Sequence, residues 1–223
     1  MILPIVRREV NGTALSSELH PVIDRIYRAR DIHHLDDLEN GLKGLTHFNA
    51  LKGIVEAASL LANAVEQNKR IIIVGDFDAD GATSTSVCIL ALNMMGFRNV
   101  DYLVPNRFDF GYGLSVPIVD VAIEQGADLI ITVDNGIACI DGVTHAKAKG
   151  LEVIVTDHHL PGDSLPPADA IVNPNQPGCT FPSKNLAVMF SSLYYYEDVL
   201  KVPTLLLSST MSGSNKLMTS KIS

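Results

Sequence analysis

Three aspartates stand at alternate positions directly after an apolar run, in the segment IIIVGDFDADGATSTS. Asp76, Asp78 and Asp80 carry like charges, and such charges repel one another at this spacing. Carboxylates that must stay ionised side by side need a cation between them, and Mg²⁺ and Mn²⁺ prefer oxygen ligands of this type. The alternating aspartates therefore predict a divalent metal site, with Gly75 and Gly81 allowing the backbone to turn tightly beside it.

Two further apolar runs also end in acidic residues. Asp134 follows LIITV directly, and Asp157 follows EVIV and one threonine and is itself followed by His158 and His159. The carboxyl ends of strands in an open parallel sheet share one edge, where ligands bind, so the sequence predicts that these side chains meet. Carboxylates and imidazoles without a nearby thiolate favour Mn²⁺ or Mg²⁺ over structural zinc.

Each of these residues also has a purely structural interpretation. An aspartate after a strand is commonly a helix cap or a turn former. Asp80 could cap a helix that begins near Ala82, and Asp134 could form a turn with the Asn-Gly that follows it. His33 and His34 repeat the histidine pair in a polar segment without an acidic cluster, so we predict that they lie on the surface.

The hydrophobic pattern changes near residue 70. The stretch 1–69 is predicted to be helical, and its two clearest helical patterns are SSELHPVIDRIYRARDI, with Ser16 or Ser17 as a possible cap, and LKGIVEAASLLANAVEQNKR. From residue 70 onward, short apolar runs alternate with helical patterns. This alternation predicts an α/β fold in which a mostly parallel sheet of about five strands has flanking helices, preceded by the helical N-terminal segment.

The composition limits the classes of protein to which the chain could belong. It has 223 residues, 47% of them hydrophobic, and a formal net charge of −8, which argues against a surface that coats nucleic acid and suits a site that collects cations. No apolar run is long enough for a signal peptide or a bilayer span. The three cysteines match no zinc spacing and indicate reduced thiols, so we predict a cytoplasmic protein without a membrane partner.

Five sequence blocks resemble those of the DHH phosphoesterase superfamily. VGDFDADGATS, TVDNGI and VTDHHLPGD look like its first three motifs, in the same order. DYLVPNRFDFGYGLS and AIVNPNQPGCTFPSKNLA narrow the resemblance to bacterial exonucleases that digest single-stranded DNA in the 5′→3′ direction. The resemblance implies a metal-dependent phosphodiester hydrolase of DNA repair and recombination. Single-stranded DNA would be its substrate, and other repair proteins would be its partners.

The resemblance also implies roles for particular residues. Asp78 and Asp80 match metal-binding aspartates, with Asp76 as a neighbouring acid that ligates or supports them. Asp134 matches an aspartate that bridges two Mn²⁺ or Mg²⁺ ions, and His158 matches a metal-binding histidine. By the same resemblance, Asp157 orients the triplet and His159 faces the phosphate. Val74 stands where related pyrophosphatases carry a histidine, so one metal would have a different ligand set.

The segment PNRFDFGYG supplies candidate substrate contacts. Arg107 could hold a phosphate, and Phe108, Phe110 or Tyr112 could stack on a base, which is the usual pairing for single strands. The alternative is a glycine-punctuated loop whose aromatic side chains pack onto the sheet. Asn173 and Asn175 are predicted to form a turn rather than to bind metal, and Cys88 is predicted to lie in the core.

The resemblance weakens after Ala187. We predict an incomplete DHH phosphoesterase domain at 70–187 and an aberrant tail at 188–223, disordered or poorly packed and frameshifted or truncated. A fourth-motif aspartate and the lobes that grip the strand would then be missing, so little activity is expected. Two alternatives stay open: a non-catalytic remnant that binds metal or single-stranded DNA, and a small-substrate phosphodiesterase or pyrophosphatase of the same superfamily.

Overall fold

The structure, a computed structural model, describes residues 9–10, 12–38, 46–94, 96–184 and 186. The predicted tail at 188–223 lies outside the described residues. The chain divides into two compact units, one ending at Thr46 and the other beginning at His47. The candidate site belongs to the second unit.

The second unit is built on a five-stranded parallel sheet. Its strands are β1 (Ile71–Val74), β2 (Val100–Leu103), β3 (Leu129–Val133), β4 (Glu152–Thr156) and β5 (Ala170–Val172). The strand order is β2-β1-β3-β4-β5, and every neighbouring pair is parallel. The predicted α/β fold, with its sheet of about five strands, is thereby confirmed.

Helices cover both faces of this sheet. Five α-helices of this unit are described: α2 (Ile54–Glu66), α3 (Ala79–Met94), α4 (Arg107–Phe110), α5 (Val116–Glu124) and α6 (Ile140–Ala148). Ile71 and Ile73 of β1 pack with α2 and α3, whereas Ile72 and Val74 pack with α5 and α6. Successive strand residues point to opposite faces, so a strand covered on both sides must be apolar throughout, as IIIV is. Cys88 of α3 is buried in the first of these clusters, as predicted.

The first unit contains one described α-helix, α1 (Pro21–Arg28). Its N-cap is His20, whose ring nitrogen accepts from the Val22 N–H at 3.3 Å, so the predicted cap at Ser16 or Ser17 is wrong. Pro21 explains the later start, because proline is favoured at the first helical position. His33 and His34 are exposed, as predicted.

The strand order places a topological switch point between β1 and β3. From β1 the chain goes first to β2 on one side, and then returns to β3 on the other side. In open α/β sheets the crevice at the carboxyl ends of two such strands is the usual ligand site. The segments that carry Asp76 and Asp134 leave the sheet at this crevice.

Candidate metal centre

The loop after β1 positions the first group of carboxylates. Asp78 accepts the Gly81 N–H at 3.0 Å and so caps α3, which begins at Ala79. The suggested cap at Asp80 is therefore wrong, because the helix starts one turn earlier and Asp80 lies in its first turn. The hydrogen bond from Gly81 holds the pKa of Asp78 below its ordinary value, which keeps this carboxylate ionised.

Gly81 serves close packing in this loop. A Cβ at Gly81 would lie 2.4 Å from the Asp76 carbonyl oxygen, and one at Gly75 would lie 2.3 Å from the Thr85 hydroxyl oxygen. The first turn of α3 therefore packs directly on the backbone that follows β1. Neither glycine has a positive φ. Glycine is therefore needed at both positions because a side chain would not fit, and not because of the tight turn that we predicted.

Asp134 is a buried acid in a strained backbone position. Its φ is +62°, and its side chain is almost fully buried. Its Oδ1 atom has no hydrogen-bond partner among the described residues. Burial and then the charge of Asp80 raise the pKa of Asp134 to about 7. A turn alone does not account for a buried carboxylate oxygen without a donor, whereas a bound cation would.

Asp157 accepts four hydrogen bonds, three within the DHH triplet (Asp157, His158 and His159) and one from Ile137. Its Oδ1 accepts the N–H groups of His158 and His159 and the Nδ1–H of His159, at 2.7, 3.0 and 2.7 Å. Its Oδ2 accepts the Ile137 N–H at 2.9 Å. Burial alone would raise the pKa of Asp157, but the hydrogen bonds from His159 and Ile137 lower it overall. The hydrogen bond between the His159 ring and Asp157 also raises the pKa of His159, which favours the imidazolium form.

His158 presents one ring nitrogen to the acidic cluster. Its Nδ1 lies 2.9 Å from the Leu186 carbonyl oxygen, and a carbonyl oxygen can only accept, so Nδ1 carries the proton. The other ring nitrogen, Nε2, lies on the side of the acidic cluster, 3.3 Å from Asp134 Oδ1. A metal-ligating histidine commonly donates its other N–H to a backbone carbonyl in this manner.

Two groups of potential ligands share Asp134. One consists of Asp76, Asp78 and Asp134, and the other of Asp134, His158 and His159; within each group the ligand atoms lie within 4.8 Å of one another. Asp80 is in neither group, and its Oδ2 lies 3.9 Å from His158 Nδ1. The unpartnered Oδ1 of Asp134 and the mixture of oxygen and imidazole donors fit Mn²⁺ or Mg²⁺.

Arg107 joins the site from α4. Its guanidinium donates to Asp76 Oδ2 at 2.7 Å and lies over the rings of Phe77 and Tyr112, 4.1 and 4.8 Å from their centroids. The other oxygen of Asp76 accepts the Phe77 N–H at 2.7 Å. Asp76 therefore supports Arg107 directly, a contact that sequence alone does not indicate.

A cavity of about 400 Å³ is lined by residues that include Asp78, Arg107, Tyr112 and His159. Burial and then the charge of Asp157 raise the pKa of Tyr112, so its hydroxyl stays protonated. Phe110 packs against the core, whereas Phe108 is fully exposed. The alternative that these aromatic side chains pack onto the sheet is therefore correct for Phe110 and wrong for Phe108.

Three asparagines have structural roles that the sequence analysis missed or understated. The Asn135 side chain donates to the carbonyls of Val74 and Val133, which ties the ends of β1 and β3 together. Asn173 donates to the His159 carbonyl and Asn175 to the His158 carbonyl. Their positions directly after strands are a usable signal, because the acids of the site share that position.

The fold and the site define a class of protein: a parallel α/β protein whose switch point carries carboxylates and imidazoles suited to divalent cations. The sequence model of the DHH family, N-terminal domain, matches residues 70–213. The chain therefore belongs to the DHH family, as its motifs indicated. Among the described residues, every helix is too short or too polar to cross a bilayer.

Similar proteins agree with this membership. The chain is 54% identical over 191 residues to the single-stranded-DNA-specific exonuclease RecJ of Haemophilus influenzae, covering 85% of this chain and 33% of that protein. A crystal structure of exonuclease RecJ bound to manganese has a TM-score of 0.62 at 38% identity, with 69% of this chain and 40% of that chain covered. RecJ from Thermus thermophilus in complex with Mn²⁺ also has a TM-score of 0.62, at 34% identity, with 80% and 25% covered. The chain thus spans about a third of the length of the Haemophilus relative.

Proposed function

We propose that the chain carries the metal-binding part of a 5′→3′ exonuclease that hydrolyses single-stranded DNA. The observation that carries the proposal is the buried Asp134 carboxylate, which belongs to two ligand groups at the switch point of the sheet. The names of the RecJ relatives support the substrate class. The domain assigned to residues 70–187 and the cytoplasmic location are parts of the same proposal.

The metal would be held by residues from three strand ends. We assign Asp78, Asp80, Asp134 and His158 as the residues that would hold the metal, with Asp134 shared by two groups of potential ligands and Asp76 as an adjacent acid. The lowered pKa of Asp78 and the hydrogen bond from His158 Nδ1 to the Leu186 carbonyl support this assignment. Bound Mn²⁺ or Mg²⁺ would activate a water and stabilise charge on the phosphate oxygens.

The remaining side chains of the site would bind the strand. His159, held by Asp157 and favoured as an imidazolium, faces the phosphate as a cation and hydrogen-bond donor. Arg107 binds a second phosphate oxygen, and Tyr112 stacks on a base beside it. In the reaction, the water oxygen bonds to phosphorus, the bond from phosphorus to the 3′ oxygen breaks, and that oxygen takes up a proton. A 5′-mononucleotide leaves.

The experiment is release of 5′-mononucleotides from 5′-phosphorylated single-stranded DNA by the 223-residue chain with Mn²⁺. We expect slow release that stops in Asp78→Ala, with duplex DNA resistant. The rate is expected to be low because Arg107 is the one lysine or arginine lining the cavity in the described part of the chain. Positioning of the strand supplies much of the reduction in barrier.

Three results would contradict the proposal. Equal release by Asp78→Ala would show that the release does not depend on this site. Hydrolysis of inorganic pyrophosphate in place of DNA would favour a small-substrate enzyme of the same family. Binding of Mn²⁺ or of single-stranded DNA without release of any nucleotide would favour a non-catalytic protein.

A further inference from the structure

The loop after β5 contacts the backbone of the DHH triplet. The Nδ2 group of Asn175 donates to the His158 carbonyl at 2.6 Å and to the Lys184 carbonyl at 2.9 Å. A side-chain amide has two N–H donors, so this group is fully used. The Asn175 side chain therefore links two backbone segments, one at His158 and one at Lys184.

Both segments determine the position of the His158 ring. The ring is attached to the first segment, and the second leads within two residues to Leu186, whose carbonyl accepts the Nδ1–H at 2.9 Å. That hydrogen bond keeps a proton on Nδ1, so Nε2, 3.3 Å from Asp134 Oδ1, is the ring nitrogen available to a metal. If the two segments separate, the carbonyl moves away from Nδ1, and the ring is free to change tautomer.

Forming the turn does not require the Asn175 side chain. The turn is closed by the Asn173 side-chain oxygen, which accepts the backbone N–H of Asn175 at 2.7 Å. Any residue other than proline supplies that N–H. The Asn175 amide is thus available for another role, and its two acceptors are the two backbone segments that place His158.

We propose that Asn175 is a positioning residue that holds His158 in the tautomer and orientation required of a metal ligand. The inference rests on the proposed function of the site for its purpose, but its geometry can be tested without metal. Asn173 contributes to the same arrangement, since its own amide donates to the His159 carbonyl at 3.0 Å.

The chain offers a matched control in the next residue. Gln176 also donates from its side-chain amide to two backbone carbonyls, those of Lys52 and Ile171, at 3.0 and 2.7 Å. Neither bond reaches the DHH triplet. Gln176→Ala therefore removes the same number of hydrogen bonds from the same loop without releasing His158.

The experiment compares the parent chain with Asn175→Ala, Asn175→Asp and Gln176→Ala, all as full 223-residue chains. The first readout is the ¹⁵N spectrum of the His158 imidazole without metal, which distinguishes the two neutral tautomers. The second is the dissociation constant for Mn²⁺ by calorimetry. Asn175→Asp keeps the size of the side chain but places carboxylate oxygens, which cannot donate, against two carbonyls.

We expect Nδ1–H in the parent chain and in Gln176→Ala, with similar Mn²⁺ affinities. Both Asn175 variants should show mixed tautomers and bind Mn²⁺ about tenfold more weakly, as expected for an outer partner of a metal ligand. Failure of the parent to bind Mn²⁺ would contradict the proposed function alone, because the tautomer comparison would still decide this inference.

Four results would overturn the inference. The first is a parent His158 protonated on Nε2. The second is Asn175 variants with the parent's spectrum and affinity. The third is an equal loss in Gln176→Ala, which would mean a general loosening of the loop. The fourth is a collapse in the spread of backbone amide chemical shifts in both Asn175 variants, which would mean that the fold itself requires this side chain.

Discussion

The two edges of the parallel sheet use acidic residues in opposite ways. At the amino edge, where the strands begin, Glu152 pairs with Lys69, Asp101 with Arg70 and Asp169 with Lys147, at 2.8, 3.1 and 2.7 Å. At the carboxyl edge, five aspartates from three strand ends converge: Asp76, Asp78, Asp80, Asp134 and Asp157. There Arg107 pairs with Asp76, while Asp134 has a raised pKa and an oxygen without a donor among the described residues.

The acids at the amino edge contribute to the stability of the fold, whereas those at the carboxyl edge suit the proposed binding of a metal. At the amino edge, Asp101 and Asp169 accept hydrogen bonds on both oxygens in the folded chain and need no ligand. The carboxyl edge keeps charges close together that would be more stable apart, and a divalent cation relieves that repulsion. Neutralising Asp134 and neutralising Asp169 should therefore have opposite effects on the stability of the metal-free chain.

The largest expected effect is that of Asp134→Asn. Asparagine tolerates the left-handed backbone at this position, so the fold should persist. We expect Mn²⁺ affinity to fall by at least about 100-fold, more than for an outer partner of a ligand. The metal-free chain should melt at a higher temperature, because repulsion at the carboxyl edge is reduced. Unchanged affinity by calorimetry would show that Asp134 is not the central ligand.

The next effect is the pH dependence of the carboxyl edge. The pKa of Asp134 is about 7 in the folded chain, compared with an ordinary value of 3.8 that we take for the unfolded chain. Between these values the folded state binds a proton that the unfolded state has lost, so this group makes the free energy of unfolding fall as pH rises. Mn²⁺ binds the ionised form of the Asp134 carboxyl. The affinity of the chain for Mn²⁺ should therefore rise by up to about tenfold per pH unit until about pH 7.

Calorimetry in buffers of different ionisation enthalpy would detect the proton released on Mn²⁺ binding below pH 7. Denaturant unfolding of the metal-free chain and of Asp134→Asn across the same pH range would isolate the contribution of this carboxyl to stability. The same slope in both chains would assign the pH dependence to other groups.

A smaller effect on metal binding is expected for Asp76→Asn. Both oxygens of Asp76 accept hydrogen bonds, from Arg107 and from the Phe77 N–H. We expect Mn²⁺ affinity to change by only a few-fold, while the affinity for single-stranded DNA falls because Arg107 loses its anchor. A loss of Mn²⁺ binding as large as that of Asp134→Asn would make Asp76 a direct ligand.

The smallest effect is expected at the amino edge. Asp169→Asn removes the charge that pairs with Lys147 but keeps an oxygen to accept the Val153 N–H. The free energy of unfolding should fall by about 0.5–1 kcal/mol, as for a partly exposed ion pair, with Mn²⁺ affinity unchanged. A change in Mn²⁺ affinity would show that the two edges are coupled, contrary to the comparison above.

Much of the fold and the location of the site could be predicted from sequence because their signals are local. Apolar runs such as IIIV are long enough to indicate strands buried on both faces. Acids directly after such runs must lie at the carboxyl edge of a parallel sheet, whatever the strand order. The convergence of Asp78, Asp134 and His158 follows from these two facts, together with motifs that occur in order.

The contacts that hold these side chains in place were decided by the tertiary structure. The Asp76–Arg107 pair joins residues from two strand ends, and the link from Asn175 to His158 joins β5 to β4. Such contacts depend on strand order and on loop paths, which hydrophobic periodicity does not encode. The start of α3 also depends on tertiary packing. By sequence, Asp78 or Asp80 could cap this helix. In the structure, Gly81 packs on the Asp76 backbone and Asp78 is the cap, so the helix takes the earlier start.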